Sequence, residues 1–469
     1  MTKIRFWNGL DTIGGNIVEV ATETSRVICD FGAAGDLSAA SLDNDYTPLE
    51  AGIVTGLIPA IPNLFETSKF KDIVLSDVSK STKNTAIFIS HLHLDHMALL
   101  RFLPKGTDVY LSEDSVKLFE QLIKVGEDES VMASIRPFVY EKTVNVGDIS
   151  VVAYESDHDV VGISALFIGT PGYKVIHSGD LRLNGDHPET IKRWVEKAKE
   201  WQPDMLLIEG TSFSFDDSND TIEEAVTEKA EKKNEVVLVT EHDLRRYFEN
   251  LLKTSTELLV LNPYIRNVER LKNLVELANK ADRPLILEKP YATILRAFYP
   301  NLLLYVLKEE FEDNFTDDEY SGVKNRSKKD LSQENRLLND SSAKIVTLDD
   351  IRQNPSHYVL QNSFKHLNRL MTLPSGSYLH SNGEPLGDYD PRFKEMKETL
   401  ERYQFKFVSF GASGHASQED LLKVATTIQA KLTVPWHTFK PKHYGNILAK
   451  NGLKISLPQK NKRYNSSKI

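Results

Sequence analysis

The feature that most constrains this chain is a string of four metal-binding side chains at residues 91–96, which read His-Leu-His-Leu-Asp-His after an apolar run. In an extended chain alternate side chains point the same way, so we expect His91, His93 and Asp95 to share a direction. A helix beginning near Asp95 would bring His96 to the same space from another side. Burying these four groups without a cation would cost several kcal/mol, so the string predicts a metal site.

The donor atoms of this string restrict which metal it would hold. Imidazole nitrogen and carboxylate oxygen, with no thiolate among them, suit Zn²⁺, with manganese or iron as competitors. Donors that enter one space from two directions can serve two ions. The single cysteine, Cys29, lies in an apolar strand pattern and is predicted to be an inert buried thiol.

The length and charge of the chain limit its class. A chain of 469 residues with 40% hydrophobic content is more than one core of about 250–300 residues usually organises, so we expect two domains. The net charge of −10 argues against non-specific coating of nucleic acid, yet it allows a substrate held by a local basic groove and by metal ions. The chain has no signal-peptide pattern and no run of about 18 apolar residues, so we expect a cytoplasmic protein without a membrane partner.

The first part of the chain, to about residue 210, contains short strand patterns and two helical ones. Helical periodicity occurs at residues 114–125 and 189–200. The strand patterns lie at residues 16–20, 26–30, 85–90, 108–112, 150–156, 163–169, 173–177 and 205–209. This mixture predicts two packed sheets with helices outside them.

From about residue 211 the pattern changes to alternating strands and helices, which is typical of a parallel α/β unit. The strand patterns are 236–240, 257–262, 284–289, 406–410 and 432–435, and the helical patterns are 244–252, 268–280 and 418–431. The charged segment 312–342 predicts a solvated loop or mobile helix. The basic tail from residue 454 lacks periodicity and is predicted to fray.

Four further residues follow strand patterns, where α/β and β-sandwich enzymes place their chemistry. They are Asp30, His158, Asp180 and His437. With the 91–96 string between the first and second of them, the order resembles the motifs of the metallo-β-lactamase superfamily. That resemblance implies a four-layer αββα sandwich of the α/β class with two divalent ions.

The resemblance also assigns the ligands. One ion would be held by His91, His93 and His158, the other by Asp95, His96 and His437, with Asp180 bridging both. Asp30 and His177 would lie behind these ligands and fix the imidazoles by hydrogen bonds.

Two other motifs narrow the resemblance. They read Leu206-Leu-Ile-Glu-Gly-Thr211 and Gly411-Ala-Ser-Gly-His-Ala-Ser-Gln-Glu-Asp420. They look like the acidic and histidine motifs of the β-CASP nucleases, the branch that contains RNase J, the mRNA 3′-end cleavage factor and the DNA cross-link repair nucleases. Their order implies a metallo-β-lactamase domain at 1–211 and 419–469, interrupted by an inserted parallel α/β β-CASP domain at 212–418.

Two departures from RNase J stand out. Residues 288–291 read Glu-Lys-Pro-Tyr where RNase J enzymes often carry Gly-Arg-Ser, and nothing corresponds to the RNase J C-terminal domain. The chain is therefore assigned to an RNase J-like β-CASP class without that domain. A histidine at the last motif, here His437, tends to accompany RNA substrates in this branch, so RNA is favoured over DNA. The resemblance also implies a homodimer.

The predicted reaction is hydrolysis of an RNA phosphodiester by a water molecule that two metal ions activate, leaving a 5′-phosphate and a 3′-hydroxyl. His415 is the candidate general acid and Glu209 would orient it. Asp95 is assigned to catalysis as well as to metal binding. Ser413 and Ser417 would donate hydrogen bonds to phosphate oxygens.

Three other functions remain open from the sequence: a DNA nuclease of the same branch, a hydrolase of a small ester or thioester, and an inactive RNA-binding subunit. The long insert favours a polymeric substrate, because a small ester would not need a second domain to build its cleft. The complete ligand string counts against an inactive subunit. Arg266 and Arg270, four residues apart, are predicted to form a solvated or ion-paired face rather than a phosphate groove.

Overall fold

The computed structural model describes residues 1–35, 37, 46–215, 239–311, 343–388 and 390–466. The chain folds as two compact units: a first unit of Met1–Ser218 with Gly414–Ile469, and a second unit of Asn219–Ser413. The first division therefore falls a few residues later in the chain than the predicted 211/212 boundary. The second falls a few residues earlier than the predicted 418/419 boundary.

The strands are short, as the sequence patterns indicate. They are β1 Lys3–Asn8, β2 Ile17–Ala21, β3 Ser25–Cys29, β4 Asn84–Phe88, β5 Asp108–Ser112, β6 Ser134–Phe138, β7 Thr143–Val146, β8 Ile149–Glu155, β9 Ser164–Thr170, β10 Tyr173–His177, β11 Met205–Glu209, β12 Leu258–Pro263, β13 Leu285–Leu287, β14 Leu304–Leu307, β15 Ala343–Val346, β16 Val359–Gln361, β17 Gly376–Ser381, β18 Lys406–Ser409, β19 Leu432–Trp436 and β20 Arg463–Asn465.

The helices begin and end with the usual local signals. Ser112 accepts a hydrogen bond from the backbone of Ser115 at the start of one helix, and Gly126 ends it in the left-handed conformation. The α-helices of the described residues are α1 Pro48–Val54, α2 Leu94–Met97, α3 Glu113–Val125, α4 Pro188–Trp201, α5 Glu241–Thr254, α6 Val268–Lys280, α7 Lys289–Phe298, α8 Leu348–Gln353, α9 Pro391–Arg402, α10 Gln418–Ile428 and α11 Pro441–Lys450.

The first unit is built on two sheets, with strand orders β20-β1-β2-β3-β4-β5-β6 and β19-β11-β10-β9-β8-β7. Their facing sides share one apolar core, to which Val27 and Phe88 contribute from one sheet and Val151 and Leu207 from the other. The far side of the second sheet packs against α4, α10 and α11, and α3 packs against β5 and β6. Helices therefore cover both outer faces, and the predicted αββα sandwich of the α/β class is confirmed.

The second unit contains a sheet of parallel strands in the order β15-β14-β13-β16-β12-β17-β18. One apolar core of this unit includes Leu258 and Tyr378 from the sheet and Met396 and Leu400 from α9. Arg270 is buried in the same unit, with its Nη2 2.7 Å from Oε1 of Glu241. It therefore forms an ion pair, the kind of contact that the sequence favoured for this arginine.

Several predicted elements have limits that match the structure, among them the strands at 108–112, 173–177 and 205–209. The charged segment 312–342 and most of the strand predicted at 236–240 lie outside the described residues. The prediction of a fraying tail is wrong, because β20 pairs antiparallel with Lys3–Arg5 of β1. This pairing joins positions more than 450 residues apart, so no local periodicity announces it.

Candidate metal centre

The candidate site residues lie where strands of the first unit end. Asp30 follows β3, Asp180 follows β10, Glu209 ends β11 and His437 follows β19. The strands β10, β11 and β19 are parallel neighbours, so their carboxyl ends meet at the same edge of one sheet. The fold therefore gathers residues from distant parts of the sequence at this edge.

Sharp turns direct two of these residues into the site. Asp30 has φ 59° and His437 has φ 51°, both in the left-handed region, where aspartate and histidine are enriched among non-glycine residues. Gly32 allows the chain after Asp30 to lie against the ligand string, since a Cβ atom there would be 1.7 Å from the carbonyl oxygen of Asp95. Any other residue at position 32 would push this backbone apart.

The 91–96 string changes conformation in its middle. After β4 ends at Phe88, His93 precedes helix α2, and Asp95 and His96 lie within that helix. The expectation that His91, His93 and Asp95 share a direction is therefore wrong for Asp95. The helix begins one residue before Asp95 and turns its carboxylate towards His96 and His437.

The structure brings all seven predicted ligands together in two groups. In each group one donor atom per residue lies within 4.8 Å of the donors of the others. The first group is His91, His93, His158 and Asp180, and the second is Asp95, His96 and His437.

Asp180 lies between the two groups. Its Oδ2 atom is 3.7 Å from Nε2 of both His91 and His158 in the first group. The same atom is 3.4 Å from Nε2 of His96 and 3.6 Å from Nε2 of His437 in the second. One carboxylate oxygen therefore faces both sets of imidazoles, which is the position of a bridging ligand.

The donor set fits divalent cations. Zn–N and Zn–O bonds of about 2.0–2.2 Å in a tetrahedron place neighbouring donors about 3.3–3.6 Å apart, close to the distances around Asp180. Within the described residues, the buried Nε2 of His91 and both carboxylate oxygens of Asp180 have no hydrogen-bond partner. Orphaned buried groups of this kind are costly unless they bind a cation.

The protonation behaviour of these groups agrees with that requirement. Burial lowers the pKa of His91 well below its usual value and that of His158 to about 3, and also lowers the pKa of His437. Neutral imidazole is the form that binds metal. Burial opposes the ionisation of Asp180, but His437 and His96 hold the pKa of its carboxyl well below the usual range. The pocket thus contains a buried carboxylate beside the neutral imidazoles of His91, His158 and His437. Burial opposes protonation of His96 as well, but Asp180 and Asp95 raise the pKa of His96 well above its usual value.

Asp30 and His177 lie behind the ligands. Oδ2 of Asp30 is 2.8 Å from Nδ1 of His96, and Oδ1 accepts a hydrogen bond of 2.7 Å from the backbone of Ser90. His177 places Nε2 3.4 Å from Oδ2 of Asp30, and its Nδ1 accepts a hydrogen bond from the backbone of Gly179. Asp30 therefore orients His96 so that Nε2 faces Asp180.

Two residues at the site were missed by sequence reasoning. The side-chain amide nitrogen of Asn16 lies 2.8 Å from Nδ1 of His437, and Asn16 is buried. Oδ1 of Asp159 lies 3.2 Å from Nε2 of His93 and 3.3 Å from Nε2 of His158. Position next to His158 was the only available signal for Asp159, and a turn residue beside a ligand would give the same signal.

His415 and Glu209 form a pair beside the ligands. Nδ1 of His415 is 3.1 Å from Oε1 of Glu209 and 3.9 Å from Oδ2 of Asp180. Glu209 is fixed, since it accepts backbone hydrogen bonds from Leu181 and Thr211. Burial opposes protonation of His415, but the Glu209 carboxylate raises the pKa of His415 to about 9. This pair can hold a proton next to the ligand cluster.

Gly414 and the two serines predicted to bind phosphate, Ser413 and Ser417, lie in the same motif as His415. The carbonyl oxygen of Gly414 contacts Nδ1 of His158, and a Cβ atom at position 414 would lie 3.0 Å from the carboxylate of Asp159. Ser417 caps helix α10, where its hydroxyl contacts Asp420. Ser413 is exposed and is the last residue of the second unit. Phosphate binding by either serine stays a prediction.

Comparison with known proteins shows what the chain resembles. Residues 57–239 match the family described as the Beta-lactamase superfamily domain. The chain is 25% identical to Ribonuclease J from Pyrococcus abyssi over 294 residues, which are 61% of this chain and 58% of that protein. It is 19% identical to Ribonuclease J from Mycoplasma pneumoniae over 454 residues, which are 93% and 68% of the two chains. The chain is therefore similar to RNase J proteins and carries a match to the metallo-β-lactamase superfamily.

A solved structure supports the fold of the chain. A protein of unknown function from Enterococcus faecalis V583 superposes with a TM-score of 0.77 at 26% identity, covering 99% of each chain. The predicted relationship to RNase J-like β-CASP proteins is confirmed. The chain spans only 58% of the Pyrococcus ribonuclease, whose activity belongs to that protein. Across the described residues, no helix is both long and apolar enough to cross a membrane.

Proposed function

We propose that the RNase J-like protein is a metal-dependent phosphodiesterase that hydrolyses RNA to products with a 5′-phosphate and a 3′-hydroxyl. The observation that carries the proposal is the His415–Glu209 pair, which lies beside the seven ligands and within 3.9 Å of Asp180. An esterase that releases an acidic alcohol or a thiol has less need of a proton donor. A phosphodiesterase that releases a sugar alkoxide needs one. The printed name Ribonuclease J of two relatives supports RNA as the substrate.

The ligand residues would hold two divalent ions, with Asp180 facing both. His91, His93 and His158 would complete one site, and Asp95, His96 and His437 the other. When bound, such ions supply Lewis-acid chemistry that activates water and offsets negative charge on the phosphate. Zinc is the proposed metal because the donors are nitrogen and oxygen with near-tetrahedral spacing, and manganese is the alternative.

The residues of the chain itself would handle the leaving group. Water attacks phosphorus in line, the bond from phosphorus to the 3′-oxygen breaks, and that oxygen leaves with the electron pair. Since Nδ1 of His415 contacts Glu209, the proton would pass from Nε2 of His415 to the departing oxygen. Glu209 holds the ring in this orientation and stabilises its charged form.

We also propose that the second unit, Asn219–Ser413, is the β-CASP insert, and that the protein is a homodimer. The parallel sheet of this unit supports the first assignment. The Ser-Gly-His-Ala-Ser string at its end supports it as well. Analytical ultracentrifugation of the purified chain tests the homodimer, and a monomer across the micromolar range would rule it out.

One experiment tests the activity. End-labelled RNA and DNA of the same sequence are incubated with the purified protein and zinc or manganese, with and without a chelator, and the product ends are mapped. The proposal expects RNA cleavage that stops with the chelator and leaves 5′-phosphate ends. Preferential DNA cleavage would assign a DNA nuclease instead. Binding of RNA without cleavage under any metal would indicate an inactive subunit, and cleavage of a thioester alone would indicate a small-ester hydrolase.

A further inference from the structure

Two exposed phenylalanines, which follow the site residues Glu209 and His437 in the chain, have neighbouring rings. Phe215 is 70% exposed and Phe439 is 52% exposed. Their ring centroids are 6.2 Å apart with the planes at 83°. Of the phenylalanines whose burial the structure describes, every other one is at least half-buried. Single exposed apolar residues are ordinary, but two aromatic rings held together in solvent form a small apolar surface.

The chain holds this pair in place from both sides. Oγ of Ser214 lies 3.0 Å from Oγ1 of Thr438, and it accepts a hydrogen bond of 3.0 Å from the backbone of Phe439. Two residues before Phe215 in the chain, Phe213 stacks on Tyr444 with centroids 4.0 Å apart, and both rings are buried. The segment that carries Phe215 is thus tied to the segment that carries Phe439. The exposed rings therefore stand on a fixed base rather than on a loose loop.

The pair is tied to the site by both segments. Phe439 lies two residues after the ligand His437, so its Cα atom is at most about 7 Å from that of His437. Phe215 lies six residues after Glu209, the partner of His415. Lys442, three residues beyond Phe439, is exposed. Exposed aromatic rings combined with cations of the same segment bind single-stranded nucleic acid, through stacking of bases and attraction of phosphates.

We propose that Phe215 and Phe439 form a stacking platform for a base of single-stranded RNA next to the scissile phosphate. This inference rests on the proposed function and goes beyond it by naming the residues that hold the substrate strand. Because every base has an aromatic face, the platform would accept any sequence. It would require an unpaired strand, since a base within a duplex already stacks on its neighbours.

Equilibrium binding tests the platform without cleavage. The metal-loaded His415→Ala protein is titrated into a fluorescent single-stranded RNA, alone or combined with Phe439→Ala or Phe215→Ala, and anisotropy gives Kd. Each phenylalanine variant should raise Kd about 5- to 150-fold, the usual effect of removing one stacked ring. Phe439→Trp should keep the affinity, whereas Phe439→Leu, which retains an apolar side chain without a ring face, should lose it.

Two controls separate stacking from charge and from general apolarity. Met132 is 66% exposed and also lies in the first unit, so Met132→Ala should leave Kd unchanged. The phenylalanine variants should keep the slope of log Kd against log salt. Lys442→Ala should reduce it by about 0.7, the value for one phosphate contact on a single strand.

A moving abasic site then locates the base. A set of RNAs is made, each lacking the base at a different single position. The RNA that lacks the stacked base should bind the His415→Ala protein more weakly than the others do. For that RNA, adding Phe439→Ala should cause no further loss of affinity. Equal Kd values for the parent, Phe439→Ala and Phe439→Leu would overturn the platform, even if the wild-type protein cleaves RNA. If the phenylalanine variants bind RNA more weakly but the wild-type protein does not cleave RNA, the stacking platform is supported and the nuclease proposal is contradicted. Loss of a dimer in these variants, with RNA binding unchanged, would make the pair an interface between copies.

Discussion

Among the described residues, each unit contains a cluster of histidine and acidic side chains, and the two clusters differ in how their acidic groups are satisfied. In the second unit, Glu288, Glu310 and His366 bring donor atoms within 4.8 Å of one another, as the ligands of the first unit do. Arg369 places Nη1 3.0 Å from Glu288 and its Nη2 contacts Glu310. The second cluster therefore contains its own cation.

The hydrogen bonds of the two clusters differ in the same way. Oε1 of Glu288 accepts from His366 at 2.8 Å and from the backbone of Ser363, and Oε2 accepts from Gln361. Asp180 of the first unit accepts none within the described residues. The same residue types thus form a satisfied ion-pair network in one unit and an unsatisfied acceptor in the other. What separates the candidate metal site from the structural network is the buried carboxylate whose oxygens lack a hydrogen-bond partner, not the number of histidines.

The largest effect is expected from removing the shared carboxylate. Asp180→Asn should lower turnover of the cleaved substrate on the order of a thousandfold or more, because the variant loses the negative charge that faces both ion sites. Bound metal per chain, measured by elemental analysis, should fall with it. Full metal content in this variant would place the ions elsewhere.

Removing the candidate general acid should affect chemistry without affecting the metal. His415→Ala should lower kcat about 10²- to 10⁴-fold, the range for loss of a positioned proton donor, while metal content stays at the wild-type value. Activity should be less affected on a substrate whose leaving group is a weak base, such as a nitrophenolate ester. An equal loss on both substrates would argue against proton donation.

A substitution in the second cluster should change the stability of the protein but not its metal content. Glu288→Gln breaks a buried ion pair and should lower the free energy of unfolding by about 3–5 kcal/mol, measured by urea denaturation. The metal content of the folded variant should not change, since Arg369 already supplies the cation. Loss of bound metal would contradict the contrast between the two clusters.

A smaller effect is expected at Asp159. Asp159→Asn should weaken metal affinity about 10- to 100-fold, because a carboxylate that holds a ligand imidazole typically contributes that much. The matched control is Asp157→Asn, whose carboxylate contacts Arg182 and the backbone of His187 instead of a ligand. Competition with a chelator of known affinity gives both values. Equal metal affinities of the two variants would show that Asp159 does not support the metal ligands.

The smallest effect is a pH dependence in the second cluster. Burial opposes it, but the hydrogen bond and charge of Glu288 raise the pKa of His366 above its ordinary value of 6.5. A raised pKa in the folded state contributes stability that is complete below the unfolded value and is lost as pH rises through the folded value. The difference in unfolding free energy between wild type and His366→Gln should therefore shrink as the pH rises above the ordinary histidine pKa of 6.5. A free-energy difference that grows as the pH rises would contradict this prediction.

Local patterns carried most of what could be predicted from the sequence. The donors of the 91–96 string lie next to each other, and Asp30, Asp180 and His437 follow apolar runs that mark strands, so both signals are visible without the fold. The arrangement of the sheets followed from the same runs.

Contacts between distant positions could not be predicted. Asn16 reaches His437 across 421 positions, and β20 pairs with β1 across a similar distance. A polar residue before a strand is common, so nothing in the sequence separates Asn16 from other loop residues. The predicted direction of Asp95 was wrong because the extended segment changes to a helix within the 91–96 string. The point of change depends on packing of this segment against Gly32.

The order of the ligands along the chain has a consequence for biosynthesis. The donors begin at His91 and end at His437, and His437 follows β19, the edge strand of the second sheet of the first unit. A nascent chain emerging from the ribosome therefore has both groups of ligands only after His437 has been made. Since metal binding and folding are linked in such pockets, binding of both ions would follow the synthesis of His437, and chains that terminate before it would lack one ligand of the second group.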